Sequence, residues 1–335
     1  MKNTIEKALQ KQREAKANSK KASTDELNQE SPQVDAQVNA PTEHSADSVQ
    51  ANTPVTDETP AQTVTPEAEL HKGEAQQSPA SSNQAQRSPL PEFVIDFERL
   101  EKNGHISLTG ERKQINEEYR EIKRKLLANS FGSLSKTLHN PNIIMVTSSR
   151  PSEGKTFTAT NLAMSIASEQ DKTVLLVDAD VLKPNVLNTL GLERRKGLME
   201  YLTGDVEDIA DVLYPTNIDK LKIIPAGKSH HLSTELLASQ KMHDTVDEFA
   251  NRYPDRIVIF DTPPLIGINE SAILANFAGQ AVVVVEEGRA KINDIKMSVE
   301  RLNPDMAIGF VVNKSIHNDT DGSGYYGYYY SERSN

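Results

Sequence analysis

The chain has 335 residues, a formal net charge of -11, and neither cysteine nor tryptophan. Without cysteine no disulfide framework or thiolate metal site can form, which fits a reducing, cytoplasmic setting. The negative charge, with no long basic run, disfavours non-specific binding to the phosphate backbone of DNA or RNA, so no nucleic-acid partner is expected.

Residues 1–90 contain no Phe, Tyr or Trp and a single Gly, and are rich in Gln, Ser, Pro and Glu. Such a segment buries too little apolar surface to offset the entropy of ordering, which predicts a disordered arm. At its start, residues 3–16 have helix-forming composition with Ile5 and Leu9 four apart, predicting a short docking helix; a helix marginal in water is the alternative. Charges interrupt residues 2–21, so no signal peptide is read there. The longest apolar run, 281–285, is strand-sized and far short of a bilayer span, so the chain is expected to be soluble.

A second region, 91–318, carries the periodic segments. Ile115, Tyr119, Ile122 and Leu126 predict a helix over 115–130, and the mixed charges at 120–125 read as its solvated face. Apolar runs predict strands at 143–146, 174–178, 221–224, 257–260, 281–285 and 307–312, separated by helices at 155–169, 233–253, 269–275 and 291–302. This alternation implies an α/β fold, a mostly parallel sheet flanked by helices on both faces. Ligands of such sheets bind at the carboxyl ends of the strands.

Three strand ends carry the chemistry. The first runs into Ser149-Arg150-Pro151-Ser152-Glu153-Gly154-Lys155-Thr156 and then a helix, the context of a phosphate-binding loop. Gly154 allows close backbone approach, the loop amides and the helix N-terminus bind anionic oxygens, Lys155 reaches the β and γ phosphates, and Thr156 is a candidate magnesium ligand. Phe157, the next residue, is counted with the nucleotide contacts. Ser149 and Ser152 stand where such loops commonly have glycine. A plain strand-to-helix turn is the alternative.

The second strand ends in Asp178-Ala179-Asp180, whose carboxylates share a face. Asp178 suits the metal shell and Asp180 an incoming hydroxyl. The third ends in Asp261-Thr262-Pro263-Pro264, where Asp261 can hold a magnesium-bound water. For either motif alone, strand-end capping or a helix N-cap is an equal alternative. After the last strand, Asn313-Lys314-Ser315-Ile316 lacks the acid of a guanine-reading pattern, which favours ATP with Mg2+ over GTP.

Residues 319–335 form a polar tail holding Tyr325, Tyr326, Tyr328, Tyr329 and Tyr330, five of the nine tyrosines. Beside a phosphate-transfer site they suggest phosphoacceptors; a sticky aromatic end is the alternative. Tyr201, Tyr214 and Tyr253 read as packing residues, and His230-His231 as part of a polar connection more readily than as metal ligands.

Together these motifs resemble the bacterial tyrosine kinases of exopolysaccharide systems, within the deviant P-loop superfamily that also holds the ParA and MinD ATPases. The stretches Thr4-Ile5-Glu6-Lys7-Ala8-Leu9, 117–124 and Thr234-Glu235-Leu236-Leu237-Ala238-Ser239 are similar to the stand-alone autokinases of exosortase (PEP-CTERM) loci. The resemblance implies a non-specific protein-tyrosine kinase that phosphorylates its own tail in trans. By it, Asp180 is the candidate base and Asn313 an adenine contact. It also implies a ring-type homo-oligomer held through a Glu-x-x-Arg-x-x-Arg helix, here Glu117, Arg120 and Lys123. An inner-membrane polysaccharide co-polymerase as activator, a cognate tyrosine phosphatase, and peripheral membrane association are further implications. A ParA- or MinD-like ATPase switch is the alternative function; Arg150, where those ATPases carry a signature lysine, and the tail argue against it.

Overall fold

Uninterrupted runs of Ile, Val and Leu build strands buried on both faces. In the structure, a computed structural model that describes residues 90–108 and 113–315, β1 (Ile143–Ser148) is buried along its whole length. β2 (Thr173–Asp178) and β5 (Arg256–Asp261) are buried beyond their first residue, and β6 (Gln280–Glu286) up to its last. With β3 (Tyr214–Pro215), β4 (Leu221–Ile224) and β7 (Ala307–Asn313) they form one sheet in the order β3-β4-β2-β5-β1-β6-β7. All neighbours are parallel except β3 and β4. The α/β class expected from the sequence is the observed one. The arm, its predicted helix and the tyrosine tail lie outside the described residues.

The helices are α1 (Phe97–Lys102), α2 (Gln114–Phe131), α3 (Lys155–Ala167), α4 (Val186–Leu190), α5 (Leu198–Thr203), α6 (Ser233–Leu237), α7 (Gln240–Asn251), α8 (Asn269–Ala275) and α9 (Ile292–Val299). The β1-α3-β2 crossover runs one way along the sheet, and β5-α8-β6 and β6-α9-β7 run the other. Right-handed crossovers therefore place α3 on one face and α8 and α9 on the opposite one. All of these strands end at the same pole, which is where the motifs meet.

Three expectations are corrected. The single helix read over 233–253 is two, because Ser239 takes an extended conformation (φ -72°, ψ 156°) and its side chain accepts from Met242 N as the N-cap of α7. The short elements α1, α4, α5 and β3 are too brief to show a period. Tyr253, read as a packing residue, is 38% exposed, with the Arg256 guanidinium 3.8 Å from its ring centre.

Lys123 is the third. It does not belong to a solvated face: its ammonium turns inward, donating to Ser165 O (2.8 Å) and Ser168 Oγ (3.3 Å) on the α3 side and pairing with Glu169 at 2.6 Å. Its side chain is 7% exposed, whereas Glu117 and Arg120 pair with each other near the surface. Lys123→Ala removes a covered ammonium with its charge-assisted hydrogen bonds and is expected to cost about 1–3 kcal/mol in denaturant unfolding. Arg120→Ala should stay within about 0.5 kcal/mol; equal, near-zero effects would show that the inward contacts contribute nothing.

Candidate active site

The loop between β1 and α3 is shaped by its own side chains before any ligand is considered. Ser148 Oγ donates to Arg150 O (2.7 Å), and the Glu153 carboxylate accepts from Arg150 N (2.8 Å). Ser152 is left-handed at φ 70° and Gly154 at φ 101°. Gly154 is required twice over, since a Cβ there would lie 1.9 Å from Asn313 Nδ2. Asn313, at the end of β7, donates that amide to Glu153 O at 2.9 Å. The first-turn amides of α3 have no intrahelical acceptor, so they face the loop's concavity as donors.

The loop is also clamped from α9. Arg150 Nε and Nη2 grip the two oxygens of Asp294 at 2.7 and 3.0 Å, a bidentate fork. One turn on, Ser298 Oγ donates to Ser149 Oγ at 2.9 Å, with both residues fully buried. Arg150, expected among the nucleotide contacts, thus has its guanidinium committed to Asp294. That bond holds the Asp294 carboxyl below the usual range. Phe157, also expected at the nucleotide, packs its ring on His105 with centroids 4.5 Å apart.

Lys155, Asp178, Asp180 and Asp261 do converge. The Lys155 ammonium is 2.6 Å from Asp180 Oδ2 and 3.9 Å from Asp261 Oδ1. Asp180 Oδ1 accepts from Lys183 N (3.0 Å), which turns the chain away from β2. Asp178 Oδ2 accepts from Asn185 N and Val186 N, both at 3.1 Å, capping the start of α4. Its Oδ1 accepts no hydrogen bond, and neither oxygen of Asp261 does, although both residues are buried.

Burial disfavours the charged carboxylates. It pushes Asp261 up to about 6 against the pull of Lys155, and raises Asp178 well above its ordinary value, helped by the Asp261 charge. Burial also pulls on the Lys155 ammonium, but Asp261 and Asp180 outweigh it and raise its pKa. Orphaned hard oxygens beside the buried Thr156 suit a small divalent cation. No cluster of three or more His, Asp or Glu among the described residues makes a ready-built metal site. Magnesium characteristically uses one or two carboxylates plus water and phosphate.

Sequence reasoning missed Asp294, Ser298 and His105, because nothing local marks a residue that meets the loop only through the fold. The histidines His230 and His231 stack on each other, 4.4 Å between centroids.

The described part of the chain matches a family described as an AAA domain over residues 141–304. The tyrosine-protein kinase YwqD of Bacillus subtilis (strain 168) is 31% identical over 231 residues, covering 68% of this chain and 93% of that protein. The tyrosine-protein kinase wzc of Salmonella typhimurium is 32% identical over 189 residues, 56% of this chain, but the match spans only 26% of that longer protein. The kinase domain of the Escherichia coli tyrosine kinase ETK shares the fold, with a TM-score of 0.52 at 24% identity over 68% of this chain and 92% of that domain. By its long match to a relative of similar extent, the chain belongs to the bacterial tyrosine-protein kinases.

Proposed function

We propose that the chain is an ATP-dependent protein-tyrosine autokinase acting on the cluster Tyr325, Tyr326, Tyr328, Tyr329 and Tyr330. The observation that carries this reading is the meeting of one lysine with three buried aspartates at three parallel strand ends, beside a phosphate-binding loop. ATP would lie on residues 149–156, with Asn313 toward the base. Lys155 would leave Asp180 for the β and γ phosphate oxygens. A tyrosine Oη would then attack the γ-phosphorus in line. Its new O–P bond forms as the bond to the β-phosphate oxygen breaks, ADP leaves with that electron pair, and the phenolic proton passes to Asp180.

Thr156 and Asp178 would hold magnesium, with Asp261 holding one of its waters, and the ion would neutralise charge on the phosphoryl oxygens. Catalysis on this reading is positioning and electrostatics.

The tail would enter from a neighbouring copy in a ring. Of the residues expected to hold that ring, Glu117 and Arg120 are on the surface of α2. Each phosphate adds about 1.5 to 2 negative charges, so crowded modified tails would repel and loosen the assembly. No helix among the described residues is long and apolar enough to cross a membrane. We place the activator in a separate inner-membrane co-polymerase, with a cognate phosphatase resetting the tail and exopolysaccharide polymerisation or export as the process served. Family resemblance supports these assignments.

Incubation with Mg·ATP followed by peptide mass mapping should find phosphate on the tail tyrosines. In Lys155→Met the rate should fall by about 10²–10³ or more. ATP hydrolysis with an unmodified tail, even with the activator's cytoplasmic segment present, would replace the kinase with an ATPase switch. Asp180→Asn should slow phosphate transfer by about 10²–10⁴ while leaving ADP affinity within a few-fold, as a lost base requires. Equal loss of both would make Asp180 a structural residue.

Because burial raises Asp261 to about 6, part of it is protonated near that pH, and a cation favours the carboxylate. Mg·ADP binding at pH 6 should therefore release protons. Its calorimetric heat should vary with the ionisation enthalpy of the buffer, less so at pH 8. Buffer-independent heat at pH 6 would contradict this placement of the metal.

A further inference from the structure

We propose that Lys314 is a positioning residue that ties the root of the tyrosine tail to the nucleotide loop, so that the tail sets out toward an active site from a fixed origin. This deepens the autokinase reading and rests on it.

Lys314 directly follows the last residue of β7 and has φ 56°, a left-handed conformation uncommon for a lysine. Its ammonium donates to Ser152 O at 2.8 Å and to Glu286 Oε2 at 3.0 Å. Ser152 is itself left-handed, at φ 70°. Two non-glycine residues in a strained backbone region are thus bonded directly to each other, one in the phosphate loop and one at the start of the tail. Such strain persists only where the surroundings over-determine it, and it concentrates at functional sites.

The neighbouring residue doubles the attachment. Asn313 Nδ2 donates to Glu153 O at 2.9 Å, and Asn313 O accepts from Glu287 N at 3.0 Å. Two consecutive residues therefore fasten the exit of β7 to two consecutive loop carbonyls and to the end of β6. Glu286 is mostly covered, its side chain 16% exposed, and the hydrogen bond from Lys314 keeps its carboxyl below the usual range. None of these contacts is needed to close the sheet, whose β6-β7 ladder already runs from Gln280 and Ala307 to Glu286 and Asn313.

Tyr325 lies 11 positions beyond Lys314 and Tyr330 lies 16 beyond. At full extension such lengths reach at most about 40 and 58 Å. Over so short a tether the effective concentration of a tyrosine at any site depends on where the tether begins. Freeing Lys314 leaves Asn313 in the β6-β7 ladder but releases the direction in which the tether departs and uncouples it from the loop between β1 and α3. It alters no group that touches the reacting atoms.

The test compares two acceptors. One is the chain's own tail; the other is a free peptide of residues 316–335, given to chains whose five tail tyrosines are phenylalanine. With Lys314→Met, own-tail phosphorylation should fall about fivefold or more, while peptide kcat/KM and Mg·ADP affinity stay within about twofold. Lys314→Arg, which keeps a donor at both ends, should recover part of the loss. A parallel fall for tail and peptide would show that Lys314 only shapes the loop, and no fall for either would show that it does nothing; both overturn the proposal. If Lys314→Met does not fold, Glu286→Ala removes the acceptor at the other end of the same latch and carries the same expectation. Wild-type chains that modify neither tail nor peptide would defeat the autokinase reading itself, a separate outcome.

Discussion

One buried ammonium facing three buried carboxylates is the arrangement on which the rest of this fold turns. Removing each ion from water costs several kcal/mol even after relaxation, and attraction within a pair offsets that only when geometry and hydrogen bonds are good. Lys155 and Asp180 meet this condition at 2.6 Å, with a second acceptor role for Asp180 toward Lys183 N. Asp178 meets it in part through two amides of α4. Asp261 is fully buried with the ammonium farther off at 3.9 Å, and burial pushes its carboxyl up to about 6. Burial holds Asp178 and Asp261 back from ionising, and a cation arriving with a nucleotide would favour their carboxylates. The arrangement is consistent with a site for a magnesium–nucleotide complex and poorly suited to a bare triphosphate.

The phosphate loop depends on that cluster from one side and on the β6-α9-β7 unit from the other. With Gly154 its only glycine from 149 to 156, the loop must hold Ser152 in a left-handed conformation that costs an L-residue roughly 1–2 kcal/mol. Four side chains compensate: Glu153 within the loop, Asp294 and Ser298 from α9, and Asn313 from the end of β7. A glycine-rich loop adopts its shape cheaply; this one is held in shape by neighbours. The region after Glu286 therefore supports the loop between β1 and α3, although none of its motifs names it as such.

The sequence was most legible where chemistry and period coincide. Apolar strands that end in Asp178, Asp180 and Asp261, and a strand that runs into Lys155, announce both the sheet and the pole at which it works. Long β strands and α3 fell close to their expected bounds, because burial on both faces leaves continuous apolar runs. The period failed where elements are short, as in α4 with 5 residues and β3 with 2. It also failed at Ser239, whose capping side chain splits an otherwise continuous helical pattern. Arg150 and Phe157 sit where a motif would put nucleotide contacts, yet their partners are Asp294 and His105, far away in sequence. Pairing between distant segments is a property of the fold, and no local pattern carries it.

Lys123 shows how one substitution in a family pattern changes what a position can do. The family's Glu-x-x-Arg-x-x-Arg helix would have a planar guanidinium there, rigid and suited to a flat carboxylate across an interface. An ammonium has three donors in a tetrahedral array. Here three acceptors meet it, Ser165 O, Ser168 Oγ and the Glu169 carboxylate, at 2.8, 3.3 and 2.6 Å. The match of three donors to three acceptors explains why lysine suits this position and why its charge is turned away from solvent. Any assembly through this face of α2 must then draw on Glu117 and Arg120, one and two turns nearer the start of the helix. Those two residues already satisfy each other on the isolated chain. A neighbour that engages them has to replace an exposed pair worth little on its own, so the exchange is nearly neutral and easily tipped. A weak, reversible contact of this kind would suit the proposed assembly, which a few added phosphates would disperse.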